Sequence, residues 1–226
     1  MFIWQLVIQT EKPFEKCLFL RYNKKMKKIE LENQGVGPFP AMLVGAIMNE
    51  KPTYTLVGAG GCACHEPVLC VSLKNTHYIT EGIRETGYFS INIPPAALVK
   101  EMDYCGIVSG HKVDKSGLFT SFYDVAGTAP MIEECPLNFL CKVCDSKEIR
   151  GFTMFFGDII AAYVNEDCLA QGQPDPIKID PIIMMAFSYL NIQGVIGRPF
   201  SEGNMLNSQA AVCPDAGAAE KRMKKE

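Results

Sequence analysis

Hydroxyls and cations crowd one short stretch of this chain: Ser72, Lys74, His77, Tyr78 and Thr80 follow on the apolar run Val68 to Leu73. If that run is a strand and a helix begins near Tyr78, the unpaired N–H groups and the dipole of the helix favour an anion there. The lysine and hydroxyls would complete a phosphate site. The same residues read equally well as solvated surface, with Thr76 or Thr80 capping the helix. A second basic loop, Ser109-Gly110-His111-Lys112-Val113-Asp114-Lys115, offers further positive charge through Lys112 and Lys115. Alternating Lys and Asp is, however, more usually a solvated loop. Between strand-like segments lies Thr55-Leu56-Val57-Gly58-Ala59-Gly60-Gly61, whose glycines let the backbone come close to a planar, anionic ligand. This run lacks both the dinucleotide fingerprint and the lysine and hydroxyl ending of a phosphate loop.

Cysteine invites sharper chemistry. The chain has 10 cysteines, and Cys141-Lys142-Val143-Cys144 has the spacing of a redox motif. It falls within an apparent strand, away from any helix start that would stabilise a thiolate. Cys62-Ala63-Cys64 has one intervening residue where zinc motifs have two to four, and no second pair stands at zinc-ribbon spacing. Cys70 and Cys105 sit in apolar settings and read as small core residues. We therefore expect free thiols and no metal. The only histidines, His65, His77 and His111, belong to no serine or cysteine nucleophile signature, so no side chain is assigned a catalytic role.

These residues need elements to hold them. Ala41 to Met48 reads as a buried strand, Thr53 to Val57 as a second and Val68 to Leu73 as a third. Tyr78 to Thr86 reads as a helix with Arg84 in its last turn and Gly87 as its stop. Phe89 to Ile93 is a strand ended by Pro94-Pro95, and Ala96 to Gly106 an amphipathic helix with Leu98, Val99 and Met102 near one side. Later strands are expected over Asn138 to Cys144, Phe152 to Phe156, Ile159 to Val164 and within Pro181 to Leu190. Short strands, few helices and frequent Gly or Pro turns predict a mainly β fold, a closed antiparallel barrel with helical additions.

At 226 residues and 48% hydrophobic the chain can bury a full core. A net charge of −3 and a pI near 5.7 give no electrostatic reason to bind nucleic acid. The apolar run in Met1 to Gln9 is far shorter than the roughly 20 residues that span a bilayer, and it lacks a basic leader and a small-residue cleavage site. A cytoplasmic protein is expected. Residues 1–25 read as an N-terminal extension, 26–203 as the domain and 204–226 as a polar tail too poor in large apolar residues to order itself.

In sequence order, Pro38 to Pro40, Lys51-Pro52 ahead of the Thr55 strand, the glycine turn, Pro67, Val71-Ser72-Leu73-Lys74, Gly87-Tyr88-Phe89 and Asp103 to Gly110 resemble the flavin reductase-like family of FMN-binding split barrels. The likeness is closest to its flavoredoxin branch and runs from about Met26 to about Gly203. It implies a Greek-key split barrel with FMN as cofactor. The ring would lie against Thr55, Leu56, Val57, Gly58, Cys62 and Cys64, with Ser72, Leu73 and Lys74 on the second contacting strand. The phosphate would fall near His77, Tyr78 and Thr80, and Ser109, Gly110, Lys112 and Lys115 would approach from the side. The resemblance further implies a homodimer taking electrons from NADH, NADPH or a redox protein and passing them to flavin or another acceptor. Such relatives commonly carry an aromatic where this chain has Gly58, a second proline where it has Glu66 and a histidine where it has Phe152. The missing histidine leaves a carrier without its own NAD(P)H oxidation as the alternative, and a cofactor-free interaction barrel as a further one.

Overall fold

The computed structural model describes residues 27–32, 35–64, 66–199 and 201. The expected extension over 1–25, the tail over 204–226 and His65 lie outside the described residues. Contacts group the chain into two units, Met1–Gly35 and Val36–Glu226. The described residues of the first form no helix or strand.

In the second unit, strand β1 (Phe39–Pro40) precedes β2 (Met42–Met48), β3 (Lys51–Val57), β4 (Gly60–Cys62) and β5 (Val68–Lys74). Helix α1 (Tyr78–Thr86) leads into β6 (Tyr88–Ile93), and a short 3-10 turn opens α2 (Val99–Ile107). The small pair β7 (Ser121–Phe122) and β8 (Met131–Ile132) is followed by a long hairpin, β9 (Leu137–Ile149) and β10 (Phe152–Val164). Then come β11 (Leu169–Ala170), β12 (Gln173–Pro174), helix α3 (Pro176–Ile179) and a last hairpin, β13 (Ile183–Met185) and β14 (Ser188–Leu190).

The main sheet runs β3-β2-β6-β9-β10-β5-β4, every neighbour antiparallel. Its two edges, β3 and β4, are consecutive in the chain and joined only by Gly58-Ala59. A residue spans at most about 3.6 Å, so so short a link obliges the sheet to curl until its edges meet. The result is the expected split barrel. Register shifts at Phe156/Gly157 and Ile159/Ala161 add local bending to β10. The sequence pattern shows two strands there because the bulges interrupt the alternation of one. At Gly157 an added Cβ would lie 2.7 Å from the Phe89 ring and 2.8 Å from Cys141 Cβ.

Strand β2 is covered on both faces, which explains its unbroken apolar run. Met42, Val44 and Ala46 join Val71, Leu73 and Phe89 in the barrel interior. Leu43 packs on the other side with Tyr54, Met102 and Cys105 beneath α2. Helix α1 contributes Ile79 and Ile83 to the barrel core. It ends as expected: Gly87 adopts a left-handed φ of 73° and its N–H returns to Ile83 O. Gly82 brings the helix so near β2 that a side chain there would strike the Ile47 carbonyl. The interior amides are satisfied, since Asn92 donates to Leu43 O at 2.9 Å and Asn138 donates to Asn92 Oδ1 at 2.9 Å.

Candidate functional site

A cavity of about 230 Å³ opens between β3, the start of α1 and the segment after α2. Thr53, Tyr54, Thr55, His77, Tyr78, Ile79, Lys115 and the residues from Gly106 to Gly110 line it. A second cavity, of about 320 Å³, shares Thr53, Tyr78, Gly110 and Lys115 with the first and extends to Asn49, Lys51, His111, Lys112 and Asp114. Together they make one cleft with Tyr78 at its waist. The Tyr78 hydroxyl accepts from Asn49 Nδ2 at 3.0 Å, and its ring meets His111 edge-on at 5.1 Å. Gly110 is needed against that ring, since a Cβ would sit 2.7 Å from it.

The cleft is electropositive. His77 is the N-cap of α1 but gives it no side-chain hydrogen bond, so neither Thr76 nor Thr80 caps the helix. Its first turn therefore meets the cleft without a side-chain acceptor, which suits an anion. Lys115 is only 5% exposed, and its Nζ donates to Cys105 O and Val108 O, each at 3.3 Å. Burial lowers its pKa. The imidazole of His77 is also held below its ordinary 6.5, by burial first and then by Lys74, Lys115 and His111. Lys51 pairs with Asp114 at 2.8 Å across the outer cavity. That pairing, with bonds from Ser116, holds the Asp114 carboxyl well below the usual carboxylate range.

The structure gathers Thr55, His77, Tyr78, Ser109, Gly110 and Lys115 on the first cavity and Lys112 on the second. The other expected contacts are spread more widely. Leu56 packs in the layer beneath α2, and Val57 and Leu73 point into the barrel core. Gly58 has an ordinary φ, and the space above it is filled by Met184 of β13. Ser72 and Lys74 lie on β5 and pair with Met154 and Phe152 of β10. Thr80 is fully buried and its hydroxyl donates to Lys74 O at 3.0 Å, tying the strand end to the helix. Cys62 and Cys64 are exposed at the end of β4. Thr53, Asn49, Lys51 and Gly106 to Val108 also line the cleft without being among the expected cofactor contacts; the period of two linking Thr53 to Thr55 was the available signal for the first. Among the described residues no group of three or more His, Cys, Asp or Glu comes together to hold a metal.

Residues 38–186 match the sequence profile of the flavin reductase like domain. The crystal structure of flavoredoxin from Methanosarcina acetivorans is similar, with 41% identity and a TM-score of 0.75 over 80% of this chain and 100% of that one. Flavoredoxin of Desulfovibrio vulgaris (Miyazaki F) follows with 33% identity and a TM-score of 0.73, over 79% of this chain and 100% of that one. An uncharacterized protein of Archaeoglobus fulgidus is 30% identical over 111 residues, 48% of this chain and 62% of that relative's length. On the profile match across the barrel and its cleft, the chain belongs to the flavin reductase-like family.

Proposed function

We propose that the protein binds FMN in the cleft between β3, α1 and the Ser109 to Lys115 loop and transfers electrons as a flavin reductase or flavoredoxin does. The observation that carries this reading is the start of α1, bare of any side-chain cap, opening onto a cavity whose surroundings include Lys115, His77 and Lys74. That donor set fits a phosphate monoester, and the apolar and main-chain lining along Thr53 to Thr55 and Gly106 to Gly110 suits a flat ring. Bound there, FMN would supply the hydride and electron chemistry. The chain's own residues bind and orient it: Lys74, His77 and Lys112 face the anion, Lys115 keeps a positive charge against the cleft wall, and Tyr78 sets the waist. No side chain is assigned a proton-transfer role.

The carrier alternative has support of its own in Phe152, which is 44% exposed beside Lys74 and has neither proton nor hydrogen bond to offer a nicotinamide. The donor is thus NADH, NADPH or a redox protein, in a reducing cytoplasm that keeps the thiols free. A homodimer is proposed because Phe187, 97% exposed at the turn of the last hairpin, and Leu190 leave apolar surface there.

The test begins with a visible spectrum of the purified protein and titrations with FMN and riboflavin. FMN should bind at least tenfold tighter than riboflavin, and Lys74→Ala should cut FMN affinity about tenfold while leaving riboflavin alone, since a charged hydrogen bond contributes about 1.5 to 3 kcal/mol. A colourless protein that takes up neither flavin would refute the reading. Anaerobic mixing with NADH or NADPH separates reductase from carrier, because only a reductase bleaches its flavin.

A further inference from the structure

We propose that Thr153 of β10 is a positioning residue for the phosphate end of the cleft, and so a determinant of FMN over riboflavin, an inference that rests on the flavin reading above. Four polar side chains from separate elements close a cycle of hydrogen bonds beside the turn that leads from β5 into α1. They are Arg84 in the last turn of α1, Thr153 of β10, Asn75 of the turn itself and Glu148 of β9. Arg84 Nη2 donates to Thr153 Oγ1 at 2.8 Å, and the Thr153 hydroxyl donates to Asn75 Oδ1 at 2.6 Å. Asn75 Nδ2 donates to Glu148 Oε1 at 3.3 Å, and the same oxygen accepts from Arg84 Nη2 at 3.1 Å. None of the four lines either cavity of the cleft.

The chemistry of the groups fixes every direction in the cycle. A guanidinium only donates and an ionised carboxylate only accepts, so the single proton of Thr153 goes to Asn75, whose amide turns its oxygen to Thr153 and its nitrogen to Glu148. The members differ in weight. Arg84 and Glu148 are 42% and 69% exposed, and water reduces such an ion pair to a small contribution. Thr153 is only 2% exposed, so its hydroxyl has little water to fall back on when a partner is lost.

Asn75 carries this constraint to the cleft. Its own N–H donates to Gly151 O at 2.9 Å, in a two-residue hairpin turn where Arg150 and Gly151 take left-handed φ values of 50° and 81°. Such a turn matches the twist of its strands and gives a firm edge. Two residues on, His77 is the N-cap of α1, and its N–H returns to Lys74 O at 2.9 Å. Asn75 is thus held by its backbone and by both ends of its amide, while Arg84 ties the far end of α1 to the same hairpin. The cycle fixes the helix at both ends, and with it the direction of the first-turn N–H groups that would meet the phosphate. Thr153→Val keeps the branched shape of the side chain but opens the cycle just ahead of those groups. Thr53 and Thr55, along which the flavin ring would lie, take no part in it.

The test measures the affinities of FMN and riboflavin for full-length wild type, Thr153→Val, Thr153→Ser and Asn75→Ala, with a melting curve of each. Thr153→Val should bind FMN about tenfold more weakly, the effect of one charged hydrogen bond, and bind riboflavin as the wild type does. Thr153→Ser retains the hydroxyl and should recover the preference for FMN. Asn75→Ala should repeat the loss without disturbing the buried strand, so it decides the matter if the valine variant fails to fold. The double variant should lose no more than either single one, because both break the same bond. Equal weakening of both flavins, an unaltered preference in the valine and alanine variants, or a serine variant that recovers nothing would each overturn the inference. A wild type without any preference for FMN would remove the cleft reading as well, whereas a wild type that prefers FMN beside variants that prefer it equally would remove this inference alone.

Discussion

At the scale of single residues, charge in the cleft has a measurable signature at His77. Its folded pKa lies below 6.5 because burial and nearby cations oppose its protonation. As pH falls, the unfolded chain takes up that proton near 6.5 and the folded apo-protein only lower, so acidification through this window favours unfolding. A bound phosphate reverses the local field. The His77 ring signal followed by NMR should therefore titrate below 6.5 in apo-protein and at higher pH with FMN bound; an unmoved midpoint would place the phosphate elsewhere. Gly58 poses a different question, since its φ is ordinary and its constraint is Met184. Gly58→Ala should cost about 1 to 3 kcal/mol by overpacking, and Met184→Ala in the same chain should recover most of it. Denaturant unfolding of the two single variants and the double checks this, and a cost that persists without Met184 would point to the backbone instead.

At the scale of elements, the site depends on how α1 is seated. Ile79 and Ile83 anchor the helix in the barrel, Gly82 lets it approach β2, and Thr80 ties its first turn to Lys74. Every cleft residue from His77 to Ile79 inherits its position from those contacts. Ile83 is fully buried, so Ile83→Ala should cost about 2 to 5 kcal/mol. FMN should then bind more weakly as well, because the loosened helix no longer presents its N–H groups in one place. Calorimetric melting with an FMN titration tests both parts; lost stability with undiminished affinity would separate the helix from the site.

At the scale of the whole molecule, the last hairpin is the exposed element that most needs a cover. It is tied to α2 by a hydrogen bond of 2.6 Å from the Tyr189 hydroxyl to Asp103, while Phe187 stands almost fully exposed. We expect sedimentation equilibrium to show a dimer and Phe187→Asp to weaken its association at least tenfold, the order of effect of losing a buried aromatic anchor. A monomeric wild type would remove the dimer from the proposed function.

Much of this was legible locally. The double burial of β2 is written in its unbroken apolar run, and the end of α1 in Arg84 and Gly87, because helix stops and strand patterns depend on neighbours in sequence. The basic residues of the cleft were also visible as types, as His77, Lys112 and Lys115. What no local pattern contains is which of them share a space. Thr80 is expected at the phosphate, and only the packing of α1 shows that its hydroxyl donates to Lys74 O and ties the strand end to the helix. Gly58 stands where relatives carry an aromatic, and the space beside it is filled by Met184 of β13, more than a hundred residues away in the chain. Thr53, Asn49 and Lys51 line the cleft because α1 and α2 pack against β2 and β3 and Lys51 pairs with Asp114 beyond α2, an arrangement of elements distant in the chain that no single segment carries.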